Sequence, residues 1–369
     1  MIPFFHKNFI FALLFHGINY CKRNIYIRTG WSYFTPFPNT LYIIPDLRCN
    51  SRCSICYAWK KKPVVIPLST WETCFSDIAR YMSPFIKINI SGGEVLLPGL
   101  SKDLLFYVAK KFPFAGITTN GYCMTPQLAE KLIKAKFSNI NVSLDGMSEK
   151  TVMQIRGRND AYMKTTQAIQ ILLRERDCQH AKTKIIIKTV ITGINIVEIP
   201  SLISWVKQIG ADGIYFQPIQ PIFSSFQTMS ELKRTSMWIG KHQKKIAMQV
   251  LEKIIQLKKT AFPILNDTSS LEDFYEYFEL KKEKKTCVKS TGCHIDLDSL
   301  FISPNGDVHF CLDFPPIGNI TKQSIVDIVH SAKAYTQRNH IRVCSKTCVT
   351  TCAVEKNLLQ RIRLFFRLT

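Results

Sequence analysis

The residues best suited to chemistry in this 369-residue chain are three closely spaced cysteines. Cys49, Cys53 and Cys56 have the spacing C-x3-C-x2-C, and the aromatic residue Tyr57 follows them. Three thiolates can bind three irons of a cubane cluster and leave the fourth iron open, whereas ordinary electron-transfer clusters are held by four cysteines. The alternative is a structural zinc site whose fourth ligand comes from elsewhere in the chain.

A second motif is the Ser-Gly-Gly-Glu segment at 91–94, directly after an apolar segment at 86–90. Gly92 and Gly93 allow the backbone to turn tightly against a ligand. Glu94 then presents a carboxylate at the end of the apolar segment. The pattern predicts a ligand-binding turn.

The elements that position both motifs alternate between short apolar strands and amphipathic helices, which is typical of βα units and a parallel sheet. The predicted strands are 41–45, 86–90, 116–119, 140–144, 185–191 and 213–217. The predicted helices include 69–81, 127–136, 163–174, 197–209 and 246–259. Six βα units predict an α/β fold, a partial (β/α)6 barrel, with functional loops at the carboxyl ends of the strands.

A second group of six cysteines lies near the end of the chain, at Cys287, Cys293, Cys311, Cys344, Cys348 and Cys352. An Asn-Gly pair at 305–306, between apolar segments at 300–303 and 308–311, predicts a β-hairpin. The hairpin would fold Cys311 back toward Cys293, as joint metal ligation requires. Zinc is the alternative metal for this group.

The C-x3-C-x2-C motif after strand one and Gly-Gly-Glu after strand two resemble the radical S-adenosylmethionine (radical SAM) superfamily. The resemblance implies a 4Fe-4S cluster on the three cysteines, with S-adenosylmethionine chelating the open iron and Gly92, Gly93 and Glu94 receiving its amine. An electron from the cluster would cleave the cofactor to a 5′-deoxyadenosyl radical. That radical would abstract hydrogen from an unknown substrate, in an oxidation or another modification.

Further cofactor contacts are implied at the ends of the third and fourth strands. In this family the positions of Thr119 and Ser143 contact the cofactor, and Arg156 resembles an arginine that reaches its carboxylate. Period-two alternation places Ser143 on one face with Asn141 and Asp145. The alternatives are that Asp145 belongs to a simple turn and that Arg156 is a surface cation.

The stretch from Cys293 to Cys311, with Gly-Asn-Ile at 318–320, resembles the SPASM or shorter twitch extension of radical SAM enzymes. This extension is a small cysteine-rich α+β domain that carries auxiliary 4Fe-4S clusters. The full SPASM pattern contains a C-x2-C-x5-C-x3-C run, whereas this chain has C-x3-C-x3-C at 344–352. Six thiolates are too few for two four-cysteine clusters, so we expect one auxiliary cluster.

Five segments are predicted: an apolar and basic N-terminal extension (1–40), the radical SAM core (41–225), a lysine-rich helical connector (226–286), the auxiliary-cluster domain (287–354) and a basic amphipathic helix (355–369). The formal net charge is +22. Residues 1–66 contain nine Lys or Arg and a single acidic residue, Asp46. Such a charge favours anionic partners, and a membrane surface, nucleic acid and an acidic peptide all fit. The alternative is that the lysines only increase solubility or reflect a biased genome composition. No motif indicates specific nucleic-acid binding.

The chain is expected to be cytoplasmic, with peripheral contact to an anionic membrane. Its expected partners are an electron donor such as flavodoxin or ferredoxin and a substrate that is a small molecule, a lipid-linked molecule or a peptide. The N-terminal segment is too short for a separate peptide-recognition domain. The competing hypothesis is a non-catalytic zinc protein with structural sites.

Overall fold

The structure, a computed structural model, describes residues 4–62, 64–224, 226, 228–260, 262–280, 293–344 and 349. Cys287, Cys348 and Cys352 lie outside the described residues, as does the predicted helix at 355–369.

In this part of the chain, nine strands form one sheet in the order β6-β5-β4-β3-β2-β1-β7-β8-β9. Strands β1 to β6 are parallel to their neighbours, which confirms the partial barrel. Their bounds differ from the predicted ones by no more than two residues. The strands are Thr40–Ile43, Lys87–Ile90, Ala115–Thr119, Asn139–Ser143, Lys184–Ile191, Gly213–Pro218, Ser299–Ile302, Asp307–His309 and Gly318–Asn319.

Isoleucine is abundant in the parallel strands because β-branched side chains pack well on a pleated surface. Along β5, Ile185, Ile187 and Ile191 are fully buried, whereas Lys188 and Val190 on the other face are half-buried. One face of the sheet thus packs under the helices. The other face lines the interior of the barrel with a mixture of polar and apolar side chains.

The helices that alternate with the strands begin where the sequence supplies capping residues. The hydroxyl of Thr125 accepts a hydrogen bond from Leu128 N (3.1 Å), and that of Ser148 accepts one from Thr151 N (3.2 Å). These side chains satisfy amide groups that a helix start leaves without partners. The helices α1 to α7 are Phe4–Thr29, Leu68–Asp77, Leu100–Lys111, Pro126–Lys134, Glu149–Arg156, Ala161–Cys178 and Ile199–Gln208.

The lysine-rich connector and the C-terminal region add α8 to α13. These helices are Met229–Lys233, Lys244–Lys259, Thr268–Tyr277, Ile295–Asp298, Ile325–His330 and Ala332–Arg342. The predicted helix at 246–259 corresponds to α9. The first predicted helix, 69–81, is α2 followed by a π-helical turn at Ile78–Met82.

The predicted hairpin is present as β7 and β8, and it continues the sheet of the barrel. Strand β7 is parallel to β1, and the rings of Tyr42 and Phe301 stack across the two strands with centroids 4.8 Å apart. Gly306 in the hairpin turn has φ +85°, a conformation that glycine adopts without strain. The auxiliary region therefore shares a hydrogen-bonded sheet with the barrel, which spacing alone did not indicate.

The N-terminal extension forms α1, which sequence analysis described only as an apolar and basic segment. Its side chains at Asn19, Arg23 and Tyr26 are buried against the body of the protein. No helix in the described part of the chain has both the length and the apolar character needed to span a bilayer.

Candidate active site

The loop that carries the three cysteines follows β1 and is held on one side by the Gly-Gly-Glu turn. Gly93 N donates to Asp46 O (2.9 Å), and Glu94 N donates to Arg48 O (2.8 Å). A Cβ atom on Gly93 would lie 2.0 Å from Arg48 O, and Gly92 has φ +143°. The two glycines are therefore required by the close contact between the turn and the cysteine loop.

Glu94 connects the ends of two neighbouring strands. Its buried carboxylate accepts hydrogen bonds from Thr119 Oγ1 (2.6 Å), Asn120 N (2.7 Å) and Leu96 N (3.0 Å). Burial raises the pKa of Glu94, and these hydrogen bonds oppose the rise. Thr119 Oγ1 also accepts a hydrogen bond from Gly121 N (3.0 Å). Thr119 thus positions Glu94 at the strand ends.

The other side of the cysteine loop rests on the C-terminal end of α5. Ser54 N donates to Ile155 O (3.0 Å), and Ser51 Oγ donates to Arg156 O (2.6 Å). The last carbonyl groups of a helix have no partners within the helix, so the loop satisfies them. Gly157 ends the helix with φ +68°, and a Cβ atom there would lie 2.5 Å from Arg52 O.

Arg156 is a buried residue, so the alternative that it is a surface cation is wrong. Its guanidinium forms an ion pair with the fully buried carboxylate of Asp145, which also accepts a hydrogen bond from Val190 N (2.7 Å). Arg156 Nη1 lies 4.0 Å from Cys53 Sγ. Its buried Nε has no hydrogen-bond partner among the described residues. A positive charge with an unused donor therefore stands beside the cysteines.

The thiols of Cys53 and Cys56 have hydrogen-bonding neighbours in their own loop. Ser51 Oγ lies 3.1 Å from Cys53 Sγ, and Ala58 N donates to Cys56 Sγ (3.4 Å). Burial raises the pKa of Cys49 to about 12 and also raises that of Cys56. Buried thiolates need a nearby positive charge, and a bound metal centre supplies it. Three soft thiolate donors in this setting fit an iron-sulfur cluster.

Within the described residues, no group of three His, Cys, Asp or Glu side chains could hold a metal ion. A cubane cluster does not require such a group, because each of its thiolate ligands binds a different iron.

Four residues that sequence analysis assigned no role support this site. Asn120 Nδ2 donates to Asn50 Oδ1 (2.8 Å), and Arg158 Nη1 donates to Asn50 O (2.9 Å). The Arg158 guanidinium lies over the ring of Tyr122, 5.0 Å from its centroid. Asn120 directly follows Thr119, the residue for which a cofactor contact is predicted. No spacing in the sequence indicates that residues so far apart meet at Asn50.

Ser143 is half-buried at the end of β4 and lies opposite Lys188 of β5. This position is at the same edge of the sheet as the Gly-Gly-Glu turn. Its contact with the cofactor stays a prediction.

The second group of cysteines is represented by Cys293, Cys311 and Cys344, which are half-buried and form no disulfide bond. Cys293 precedes α11 and the start of β7, and Cys311 follows the end of β8. Since β7 and β8 are antiparallel, the register places Cys311 level with Ser299, at the amino end of β7.

Cys293 and the cysteine loop lie at opposite ends of the paired strands β1 and β7. The cysteine loop follows the carboxyl end of β1, whereas Cys293 precedes the amino end of the parallel strand β7. Each of these strands has four residues, a length of about 13 Å. About the length of these two strands therefore separates Cys293 from the cysteine loop.

Two regions of the chain match known protein families. Residues 43–206 match the radical SAM superfamily, and residues 293–353 match SPASM, an iron-sulfur cluster-binding domain. AlbA of Bacillus subtilis, an antilisterial bacteriocin subtilosin biosynthesis protein, is 24% identical over 302 residues, which are 80% of this chain and 60% of AlbA. AdoMet-dependent heme synthase of Methanosarcina barkeri is 26% identical over 300 residues, which are 78% of this chain and 80% of that enzyme.

Among solved structures, that of Streptococcus suis SuiB bound to S-adenosylmethionine has the same fold. Its TM-score is 0.62 at 18% identity, and the superposition covers 82% of this chain and 67% of SuiB. Residues 43–206 of the chain form a radical SAM domain. The chain also has a C-terminal SPASM domain. The first domain is of the type that binds a 4Fe-4S cluster and S-adenosylmethionine, and the second is of the type that binds auxiliary clusters.

Replacing Gly157 by alanine tests the contact between α5 and the cysteine loop. Alanine in this left-handed conformation costs about 1–2 kcal/mol wherever it occurs. At Gly157 the added Cβ also displaces the Arg52 carbonyl, so we expect loss of the radical SAM cluster after anaerobic reconstitution. The matched control is Gly210→Ala, because Gly210 has φ +70° and no atom near its Cβ position. Equal iron content in the two variants would contradict the prediction.

Replacing Asp145 by asparagine tests the buried ion pair. Arg156 would keep a buried charge without its carboxylate, which costs about 3–5 kcal/mol in the free energy of unfolding. The control Asp160→Asn removes the partly exposed ion pair with Arg158 and should cost no more than about 1 kcal/mol. Urea unfolding of the two cluster-free variants measures the difference, and similar losses would show that the Asp145 pair adds little.

Proposed function

We propose that this protein reductively cleaves S-adenosylmethionine and uses the product radical to abstract hydrogen from a substrate inside the barrel. The observation that carries the proposal is the clamped cysteine loop, held at the carboxyl end of a parallel sheet by the Gly-Gly-Glu turn and by α5. When bound, the cluster supplies one electron and the cofactor supplies the radical. The chain itself has to hold, orient and shield both groups.

The residues around the loop have separate tasks in this proposal. Cys49, Cys53 and Cys56 hold the radical SAM cluster. The buried Nε of Arg156 is a suitable donor to the cofactor carboxylate, because it has no partner among the described residues. Carbonyl groups of the Gly92 to Glu94 turn would receive the cofactor amine, since the amides of Gly93 and Glu94 already donate to the cysteine loop. Ser143 contributes a further contact to the cofactor at this edge of the sheet. Thr119 positions Glu94 through its hydrogen bond to the carboxylate.

The auxiliary cluster is assigned to the second group of cysteines. Its candidate ligands within the described residues are Cys293, Cys311 and Cys344. The other candidates, outside the described residues, are Cys287, Cys348 and Cys352. A cluster at the amino end of β7 would face the cysteine loop across the interior of the barrel. It could accept the electron that remains on a product radical, which favours an oxidation.

The substrate is proposed to be a peptide or a small molecule that reaches the interior of the barrel. AlbA takes part in bacteriocin biosynthesis, the heme synthase makes heme, and SuiB has been crystallised with its precursor peptide SuiA. The chain spans only 60% of AlbA, so its own substrate does not follow from that relative. We further propose a flavodoxin or ferredoxin as electron donor, a cytoplasmic location and peripheral contact with an anionic membrane.

The Cys53→Ala variant tests cofactor cleavage. The wild-type chain, reconstituted without oxygen and reduced with dithionite, should release 5′-deoxyadenosine from S-adenosylmethionine. Removing a cluster ligand should abolish that release, whereas Cys178→Ala, a change at an exposed cysteine, should leave it unchanged. Chromatography quantifies the nucleoside. Stoichiometric zinc with no iron and no nucleoside would favour the zinc protein instead.

The Cys311→Ala variant separates the auxiliary cluster from the first one. We expect it to lose up to four irons per chain and to retain 5′-deoxyadenosine release, because its cysteine lies at the other end of β1 and β7. Iron analysis and the electron paramagnetic resonance spectrum of the reduced protein check both points. Iron content equal to that of Cys178→Ala would exclude Cys311 as a ligand.

A further inference from the structure

Helix α1 is attached to the body of the protein through a polar face. The buried Asn19 donates to Phe37 O (3.2 Å), and the buried Arg23 lies 3.6 Å from the carboxylate of Asp298. Tyr26 is fully buried, with the guanidinium of Arg342 4.5 Å from its ring centroid. These specific contacts fix the rotation of the helix about its own axis.

The side of α1 that is turned away from the protein is apolar. Leu14 is 54% exposed, Ile18 56% and Ile25 37%, and the exposed Cys21 lies between them. Their spacing of three and four residues places them along one stripe. This polarity is the reverse of that of an ordinary surface helix, which buries its apolar stripe.

The apolar stripe continues beyond the end of the helix, because Phe34 lines the same surface groove as Leu14, Ile18 and Ile25. The rings of Trp31 and Tyr33 pack against Phe34, with centroids 6.2 and 5.3 Å from that of Phe34. Trp31 is 65% exposed and Tyr33 is 85% exposed. Exposed apolar residues scattered singly are normal on proteins, but a continuous patch of this kind marks a surface that another phase or molecule covers.

The charge around the stripe selects the kind of partner. Helix α1 contains no acidic residue, and Arg28 is exposed in its last turn. Asp46, the single acid within residues 1–66, is buried and paired with Arg48. Leucine and isoleucine flanked by cations, with tryptophan and tyrosine at the edge, are typical of a helix in the interface of an anionic bilayer. A water-soluble acidic partner would match the cations but leave the apolar stripe exposed.

We propose that α1, with Trp31 and Tyr33, lies in the headgroup region of an anionic lipid bilayer and holds the enzyme at the membrane surface. The axis of the helix is parallel to the bilayer, and its polar face stays on the protein. Because Arg23 contacts Asp298 of α11, the membrane contact is on the side of the auxiliary region. This inference rests on the membrane contact proposed above, for which it names the surface, and it does not depend on the proposed reaction.

Vesicle flotation with the full-length, reconstituted chain tests the proposal. Vesicles of phosphatidylcholine with phosphatidylglycerol should float the wild-type protein, and the binding should weaken in high salt. The double variant Ile18→Glu with Ile25→Glu should bind these vesicles roughly a hundredfold more weakly, since two apolar side chains are lost from the stripe.

The matched control is Met163→Glu with Val197→Glu, which adds the same charges at exposed apolar positions of the barrel (45% and 53% exposed). It should float like the wild type. Release of 5′-deoxyadenosine from both double variants shows that they are folded and is independent of lipid. If neither the wild type nor the variants cleave the cofactor but flotation gives the expected result, the proposed reaction is wrong and the proposed membrane contact of α1 is supported.

Three results would overturn the proposal. The wild-type chain could remain in solution with mixed vesicles at low salt. The Ile18 and Ile25 variant could float as well as the wild type, and membrane binding would then be assigned to another segment, such as 355–369. Light scattering could show a lipid-independent dimer that this variant dissociates, with no flotation, and the stripe would then be a contact between two copies of the chain.

Discussion

The clamp on the cysteine loop is the contact on which the site depends. The cysteine loop, in which Cys53 is buried and Cys49 and Cys56 are half-buried, has no regular hydrogen-bond ladder of its own, yet its backbone groups need partners. The Gly-Gly-Glu turn supplies amide donors for the loop carbonyls on one side. The C-terminal end of α5 supplies carbonyl acceptors for Ser51 and Ser54 on the other. The loop therefore fits only between these two elements.

The ion pair between Asp145 and Arg156 balances the charges that this clamp creates. The C-terminal end of α5 carries partial negative charge, which is unfavourable next to thiolates. Arg156 places a full positive charge 4.0 Å from Cys53. Burying that charge requires a partner, and Asp145 is held in place by an amide of β5. Strands β4 and β5, helix α5 and the cysteine loop are connected through this one pair.

Strand β1 relates the two cysteine groups to one another. It pairs with β2, which precedes the Gly-Gly-Glu turn, and with β7, which follows Cys293. Parallel pairing means that the loop after β1 and the segment before β7 are at opposite ends of the sheet. The N-terminal helix joins the same region through Asp298, so the extension, the barrel and the auxiliary region form a connected structure.

The sequence alone determined the elements and the chemistry of the site. Alternation of isoleucine-rich segments with capped amphipathic helices was enough to predict the parallel strands, because burial and periodicity are local properties of the chain. The spacing of Cys49, Cys53 and Cys56 and the Gly-Gly-Glu turn indicated a cluster and a cofactor for the same reason. Only the tertiary structure decided that Gly93 serves the cysteine loop and that Arg156 is buried with Asp145. It alone decided that β7 joins β1 and that α1 turns its apolar stripe outward. Each of these features is a contact between segments that are far apart in the sequence. Such contacts are set by the packing of the whole chain and not by local sequence.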